Sequence, residues 1–242
     1  MSGRLARGFV APHPLFKKER TKTGIWWEKS PYYLWWEYLR LHEGYLECCQ
    51  KKGKGPYSAL YNDFGDIHSM DFKEWWQSRG VDLFAEPMSP SKVVALSDEE
   101  IRQFMEGVRD ERILLVAIPT HYPKRNITSS LNKILREHKP RGRGEKLVKF
   151  SRAKYPLLHS PDTYALDITL RCYKKKNENP KMPLWEIAQE VGVSVSLTKA
   201  ELAGEGGHVA DKKASMTAGV SRKLKHAATL IEGVGRGIFP LR

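Results

Sequence analysis

The sequence predicts a mainly α-helical protein with a small β component, built as an aromatic-rich N-terminal domain followed by a C-terminal unit of three helices. Three observations predict it. Apolar residues recur at alternating spacings of three and four along several segments, the period of a helix with one buried face. Helix-start signatures, Ser-Pro and S-x-x-E, stand ahead of those segments. A single run, Ile113 to Ile118, reads as a strand. At 242 residues the chain exceeds one typical domain, and 40% hydrophobic residues are enough to build cores.

Residues 1–29 are basic, rich in Gly and Pro and without a clear period, so they read as an arm anchored by Trp26-Trp27. Such an arm either touches nucleic acid or remains a solvated or packed tail. The aromatic-rich domain follows, over residues 30–145. Ser30-Pro31 supplies an N-cap and a first-turn proline, and Leu34, Tyr38, Leu41, Tyr45 and Cys48 predict one amphipathic helix. It ends before the charged, breaker-rich stretch Lys51 to Pro56. Tyr57 to Gly80 reads as a short helix, a turn at Asn62 to Asp66, and a second helix that Asp71 can cap, carrying Phe72, Trp75 and Trp76.

Six of the 7 tryptophans fall in adjacent pairs, at 26-27, 35-36 and 75-76. Neighbours on a helix point about 100° apart, so each pair covers a broad face. Core or interface anchoring is the first reading of these pairs, and base stacking on single strands the second. Val81 to Pro90 reads as a linker. Ser97-Asp98-Glu99-Glu100 is a capping box opening a helix with Ile101, Phe104, Met105 and Val108 at helical spacing. Ile113 to Ile118 is continuously apolar and predicts a strand buried on both faces.

The basic loop His121 to Asn126 leads into a helix with Leu131, Ile134 and Leu135 inward, with Thr128 as its cap. A helix N-terminus offers free donors and positive potential, so Lys124 and Arg125 are candidate phosphate contacts. Arg141 and Arg143, in the cationic segment Lys139 to Gly144, are candidates of the same kind, with a plain solvated loop as the competing reading. The boundary between the two domains is expected between 139 and 160.

The C-terminal domain spans 160–242. Ser160-Pro161 opens a helix with Tyr164, Ile168 and Cys172 on one stripe, ending in the solvated run Lys174-Lys175-Lys176. Pro183 opens the next, where Leu184, Ile187, Ala188 and Val191 share a face and Gly192 stops the helix in a left-handed turn. Val193 to Gly207 carries three glycines and no helical stripe. From Lys212 to Glu232, Val220, Leu224, Ala227, Ile231 and Val234 again alternate at four and three, with Arg222, Lys225, His226 and Thr229 on the opposite side.

A small residue four before a turn glycine, here Ala188 and Gly192, together with Ala218-Gly219-Val220-Ser221-Arg222-Lys223-Leu224, resembles the helix-turn-helix DNA-binding superfamily over about residues 160–235. The spacing departs from that pattern, because the reading helix comes after a long loop instead of three or four residues. The resemblance implies a split motif that binds duplex DNA. Ser221, Arg222, Lys225 and His226 are then expected at base edges, and Lys212, Lys213 and Lys223 on phosphates.

Charge agrees with a polyanionic partner: 41 Lys+Arg against 28 Asp+Glu give a net charge of +13. An anionic membrane or ribosomal RNA would be attracted equally. Three cysteines, two of them adjacent, supply neither a disulfide framework nor a Cys-x-x-Cys zinc site, which points to a reducing compartment. No signal-peptide pattern and no run of roughly eighteen apolar residues is present, and a cytoplasmic location is expected. Phosphate-loop, zinc-helix and nucleophile-elbow motifs are lacking, so the expectation is a DNA-binding protein without cofactor rather than an enzyme. A transcriptional regulator, or another prokaryotic or mobile-element DNA-binding factor, is the class expected. Two alternatives stand beside it. One is a scaffold assembling, as a homo-oligomer or in a protein complex, through Trp-rich surfaces. The other is a Mg²⁺-dependent nuclease using Asp63, Asp66 and Asp71, with His68 nearby.

Overall fold

A computed structural model describes residues 5–6, 8–16, 24–86, 89–90, 95–106, 114–138, 151–193, 196–203 and 207–241. They are mainly helical, with two small strand pairs: β1 (Leu5–Ala6) runs antiparallel to β4 (Ser89–Pro90), and β2 (His13–Leu15) parallel to β3 (Gly24–Trp26).

Ser30 caps α1 (Pro31–Arg40), its hydroxyl accepting from the Tyr32 N–H at 3.3 Å. The single helix expected through Cys48 is in fact two, because His42 leaves helical geometry and caps α2 (Glu43–Gln50) with its own ring. Its Nδ1 accepts the Tyr45 N–H at 3.1 Å. Burial continues across the break: α1 is buried nearly all round, and α2 buries Tyr45, Cys48 and Cys49. A loop with Lys52, Gly53 and Gly55 at positive φ leads to α3 (Ser58–Phe64), which stops at Gly65 (φ 70°). A side chain there would be strained by that φ and would meet Arg79 Nε at 2.8 Å.

Asp71 caps α4 (Phe72–Trp75), accepting from the Glu74 N–H at 2.8 Å. The helix then widens through a π turn at Trp76–Gly80 and continues as α5 (Val81–Phe84). Residues 81–84, expected as linker, are therefore helical, and Leu83 and Phe84 are buried. The π turn lets the Trp75 and Trp76 rings crowd over Gly80, where a Cβ would lie 2.7 Å from the Trp76 ring.

These helices enclose an aromatic core. Trp35, Trp36, Trp75 and Trp76 are 0 to 3% exposed, so neither base stacking nor scaffold contact is open to them. The Trp75 indole donates to the Phe64 carbonyl at 2.8 Å. Part of the expected arm belongs to this core as well: Phe9, Val10, Ala11, Phe16 and Trp27 pack against it, and the Ala11 N–H donates to the Tyr32 hydroxyl at 3.1 Å.

The capping box forms as expected at Ser97 and Glu100 and opens α6 (Asp98–Glu106). The buried strand does not. Leu114 to Ile118 lie outside any strand and are exposed, and Ile113 falls outside the described residues. The next helix, α7 (Lys124–Glu137), begins a turn before Thr128, straight after Pro123, and buries none of its residues.

In the C-terminal part, α8 (Thr163–Glu178) is capped by Asp162 rather than Ser160, and Tyr164 points outward, 70% exposed. Then come α9 (Leu184–Val191), a four-residue α10 (Lys199–Leu202) and the long α11 (Val209–Gly235). Gly192 takes the left-handed conformation (φ 78°, ψ 44°). A second core joins Ile168 and Cys172 of α8, Ile187, Ala188 and Val191 of α9, Leu197, and Met216 and Val220 of α11.

Both α8 and α11 also enter the aromatic core. Leu166 and Leu170, then Ala227, Leu230, Ile231 and Val234, then Leu157 and Phe239, lie in one cluster with the aromatic residues of α1 and α4. The Tyr38 hydroxyl donates to the Leu166 carbonyl at 2.9 Å across this contact. Residues on both sides of the boundary expected at 139–160 thus share one core. At ~1.5 Å per residue, a 27-residue helix spans roughly 40 Å, long enough for its two halves to serve different cores.

Candidate nucleic-acid interface

The segment between α9 and α11 is fixed by side chains rather than by regular structure. Gln189 clamps Leu197, its Oε1 accepting the Leu197 N–H at 2.7 Å and its Nε2 donating to the Leu197 carbonyl at 3.1 Å. Thr198 and Glu201 make a reciprocal capping box on α10. Glu201 also takes an ion pair from Lys212, and its carboxyl is held down at about 2, by that hydrogen bond first and by the Thr198 backbone next.

Lys212 and Lys213, expected on phosphates, therefore have partners inside the protein. Lys212 ties α11 to α10, and the Lys213 ammonium sits 4.0 Å above the Trp185 ring of α9. The run Lys174-Lys175-Lys176, expected as solvated, is likewise engaged. Lys174 pairs with the buried Glu37, Lys175 with Glu190 at 2.5 Å, and Lys176 donates to the carbonyls of Pro180 and Met182.

The middle of α11 differs. Arg222 and Lys225 are exposed, Ser221, Lys223 and His226 are half-buried, and none of the basic side chains has a carboxylate partner among the described residues. Ser215, Gly219, Arg222 and His226 follow one another at four, three and four, a stripe along the helix. Together with Lys223 and Val193 they line an open groove of about 450 Å³. Gly219 leaves its floor open, and a Cβ there would meet only Val193, at 3.5 Å. The His226 Nε2 stands 3.2 Å from the Leu241 carbonyl oxygen, which places a proton on that nitrogen.

Of the residues expected at base edges, Arg222 and His226 thus meet at the groove, with Lys223 beside them. Ser221 and Lys225 lie outside its lining, on the neighbouring flank of the helix. Ser215 and Gly219 were not expected, although their spacing to Arg222 was visible. Lys124 and Arg125 are exposed in the first turn of α7, where their charge adds to the positive end of the helix dipole. Arg141 and Arg143 lie outside the described residues.

The acids expected as an alternative metal site have other tasks. Asp63 accepts from Lys154 Nζ and from the Tyr155 hydroxyl, each at 2.6 Å. Asp66 accepts the His68 N–H at 3.0 Å, and Asp71 caps α4. Among the described residues no three potential ligands gather. Burial pushes the Cys49 thiol up to about 12 and the Cys172 thiol to about 11, far from the thiolate a nucleophile needs. No helix of the described residues is long and apolar enough to cross a membrane. Comparison with protein-family models, curated protein sequences and solved structures gave no match.

Proposed function

We propose that this chain binds duplex DNA through the middle of α11, as a transcriptional regulator or related DNA-binding factor. The observation that carries this is the contrast in charge. Lysines elsewhere on α8 and at the start of α11 are paired inside the protein, whereas Arg222, Lys223 and Lys225 have no carboxylate partner among the described residues and stand at or beside an open groove. A net charge of +13 adds a long-range attraction for any polyanion.

The arrangement of α8, α9 and α11 around Ala188 and the left-handed Gly192 supports the split helix-turn-helix reading. In it, α10 occupies the connection and α11 approaches the duplex. Arg222, Lys223 and His226 contact phosphate or base from the groove, and Ser221 and Lys225 contact the adjacent edge. Lys212 and Lys213 act indirectly, by holding α11 on α9 and α10.

Fluorescence anisotropy of the full chain on random duplex and single-stranded oligonucleotides across a salt series tests the proposal. The expected result is duplex preference with a steep salt slope. Lys223→Ala should reduce that slope by about one, and Arg222→Ala should cost about 1–3 kcal/mol on a preferred sequence. Absence of binding at physiological salt, or equal binding by an Arg222→Ala/Lys223→Ala double variant, would overturn it.

A further inference from the structure

The run Leu114 to Ile118 is apolar throughout, yet Leu114, Leu115, Val116 and Ile118 are 40, 40, 36 and 47% exposed. It is neither helix nor strand, and its backbone donors and acceptors have no hydrogen-bond partner among the described residues. Beside it α7 turns Ile127, Leu131 and Ile134 toward a groove of about 470 Å³ whose other wall is Val116 to Pro119 with Tyr122. Since α7 buries none of its residues, the two segments leave an apolar groove uncovered and, along Leu114–Ile118, backbone groups without partners among the described residues.

We propose that this edge is an interaction surface for a second copy of the chain, in which the two Leu114–Ile118 runs pair antiparallel about Val116. Backbone groups left without partners among the described residues are satisfied by pairing with another segment, and a helix, whose own groups are bonded within it, cannot supply the ladder. Within the chain, the described strands are two or three residues long and already paired with one another. A second copy offers a run of equal length, and two-fold pairing demands self-complementarity.

The sequence meets that demand. Centred on Val116, Leu114 faces Ile118, Leu115 faces Ala117, and no like charges are opposed. Pro119, which has no N–H, lies just past the paired run. The flanking helices carry opposite charge: α6 has four acids against Arg102, net −3, and α7 has Lys124, Arg125, Lys133 and Arg136 against Glu137, net +3. A two-fold arrangement that sets α6 of one copy near α7 of its partner is thereby matched in sign. This inference does not depend on DNA binding.

Sedimentation equilibrium of the full chain over micromolar concentrations, without nucleic acid, is the test. Wild type should approach twice its 27.8 kDa, and Val116→Lys should return to 27.8 kDa with an unchanged far-UV circular dichroism spectrum. A wild type that stays at 27.8 kDa, or a Val116→Lys variant that still dimerises, overturns the proposal. If Val116→Lys fails to fold, Val116→Cys decides. The central residues of a two-fold antiparallel pair face each other, so mild oxidation should yield a reducible crosslinked dimer on a non-reducing gel, and a monomer band alone sinks the pairing.

Discussion

His42 holds three elements with one ring. Its Nδ1 accepts the Tyr45 N–H in the first turn of α2, its edge packs on Tyr57 with centroids 4.7 Å apart, and its Nε2 faces Gly235 at the end of α11 so closely that a Cβ there would lie 2.2 Å away. The cap works only while Nδ1 is unprotonated. Burial moves the His42 pKa below its ordinary 6.5, and burial followed by the charge of Arg40 does the same at His68. The unfolded chain therefore takes up these protons first. Stability from both groups is complete above about pH 6.5 and is lost as pH falls through the lower folded values. The melting temperature is expected to drop between pH 7 and 5, and to drop less in His42→Asn, which keeps a capping oxygen without a titrating ring. Identical pH profiles for the two proteins would contradict this role. Sequence spacing alone marked residues 41–48 as a continued helix, because a period of three and four does not register a break across which apolar residues keep recurring.

At the level of elements, starts and stops with side-chain chemistry were legible: Ser30-Pro31, Asp71, Ser97 with Glu100, and Gly192 all act as their residue types dictate. What escaped depended on partners far away in the chain. Val81–Phe84 reads as linker because Pro87 and Pro90 follow, yet the pull of the aromatic core on Leu83 and Phe84 prevails. The Thr198 capping box was hidden among glycines. For the candidate site, the stripe through Arg222 and His226 was readable from helical spacing. The loss of Lys212 and Lys213 to Glu201 and Trp185 was not, since those partners belong to other elements. Gln189 makes the most consequential of these long connections. Gln189→Ala leaves both backbone groups of the buried Leu197 without their partner, and is expected to destabilise by about 1–3 kcal/mol. Urea denaturation reads this directly, and a change below about 0.5 kcal/mol, the scale of a neutral surface substitution, would show the clamp to be dispensable.

For the whole molecule, α11 belongs to two cores, and the segment after it closes the first. Phe239 is fully buried, with its ring 5.4 Å from Trp35 and 5.7 Å from Tyr38, centroid to centroid. Hydrophobic periodicity showed which residues turn inward but not which cluster receives them, so the shared core was not visible in the sequence. Phe239→Ala should cost about 3–5 kcal/mol. Because its neighbours come from α1, the loss should appear as one earlier transition seen alike by tryptophan fluorescence and circular dichroism. Fraying confined to the C-terminal segment, with the tryptophan signal unmoved, would refute it.

The closure by Leu157 and Phe239 also bears on how the chain is made. On the ribosome, Trp35 and Tyr38 of α1 emerge about 200 residues before Phe239, and until that ring arrives the side of them it covers stays open. N-terminal segments that fold as they emerge can usually bury their apolar surface at once. Here that surface must wait until residue 239 has emerged, so a chain cut short before Phe239 displays aromatic side chains that the folded protein conceals, a difference that chaperones and proteases are equipped to read.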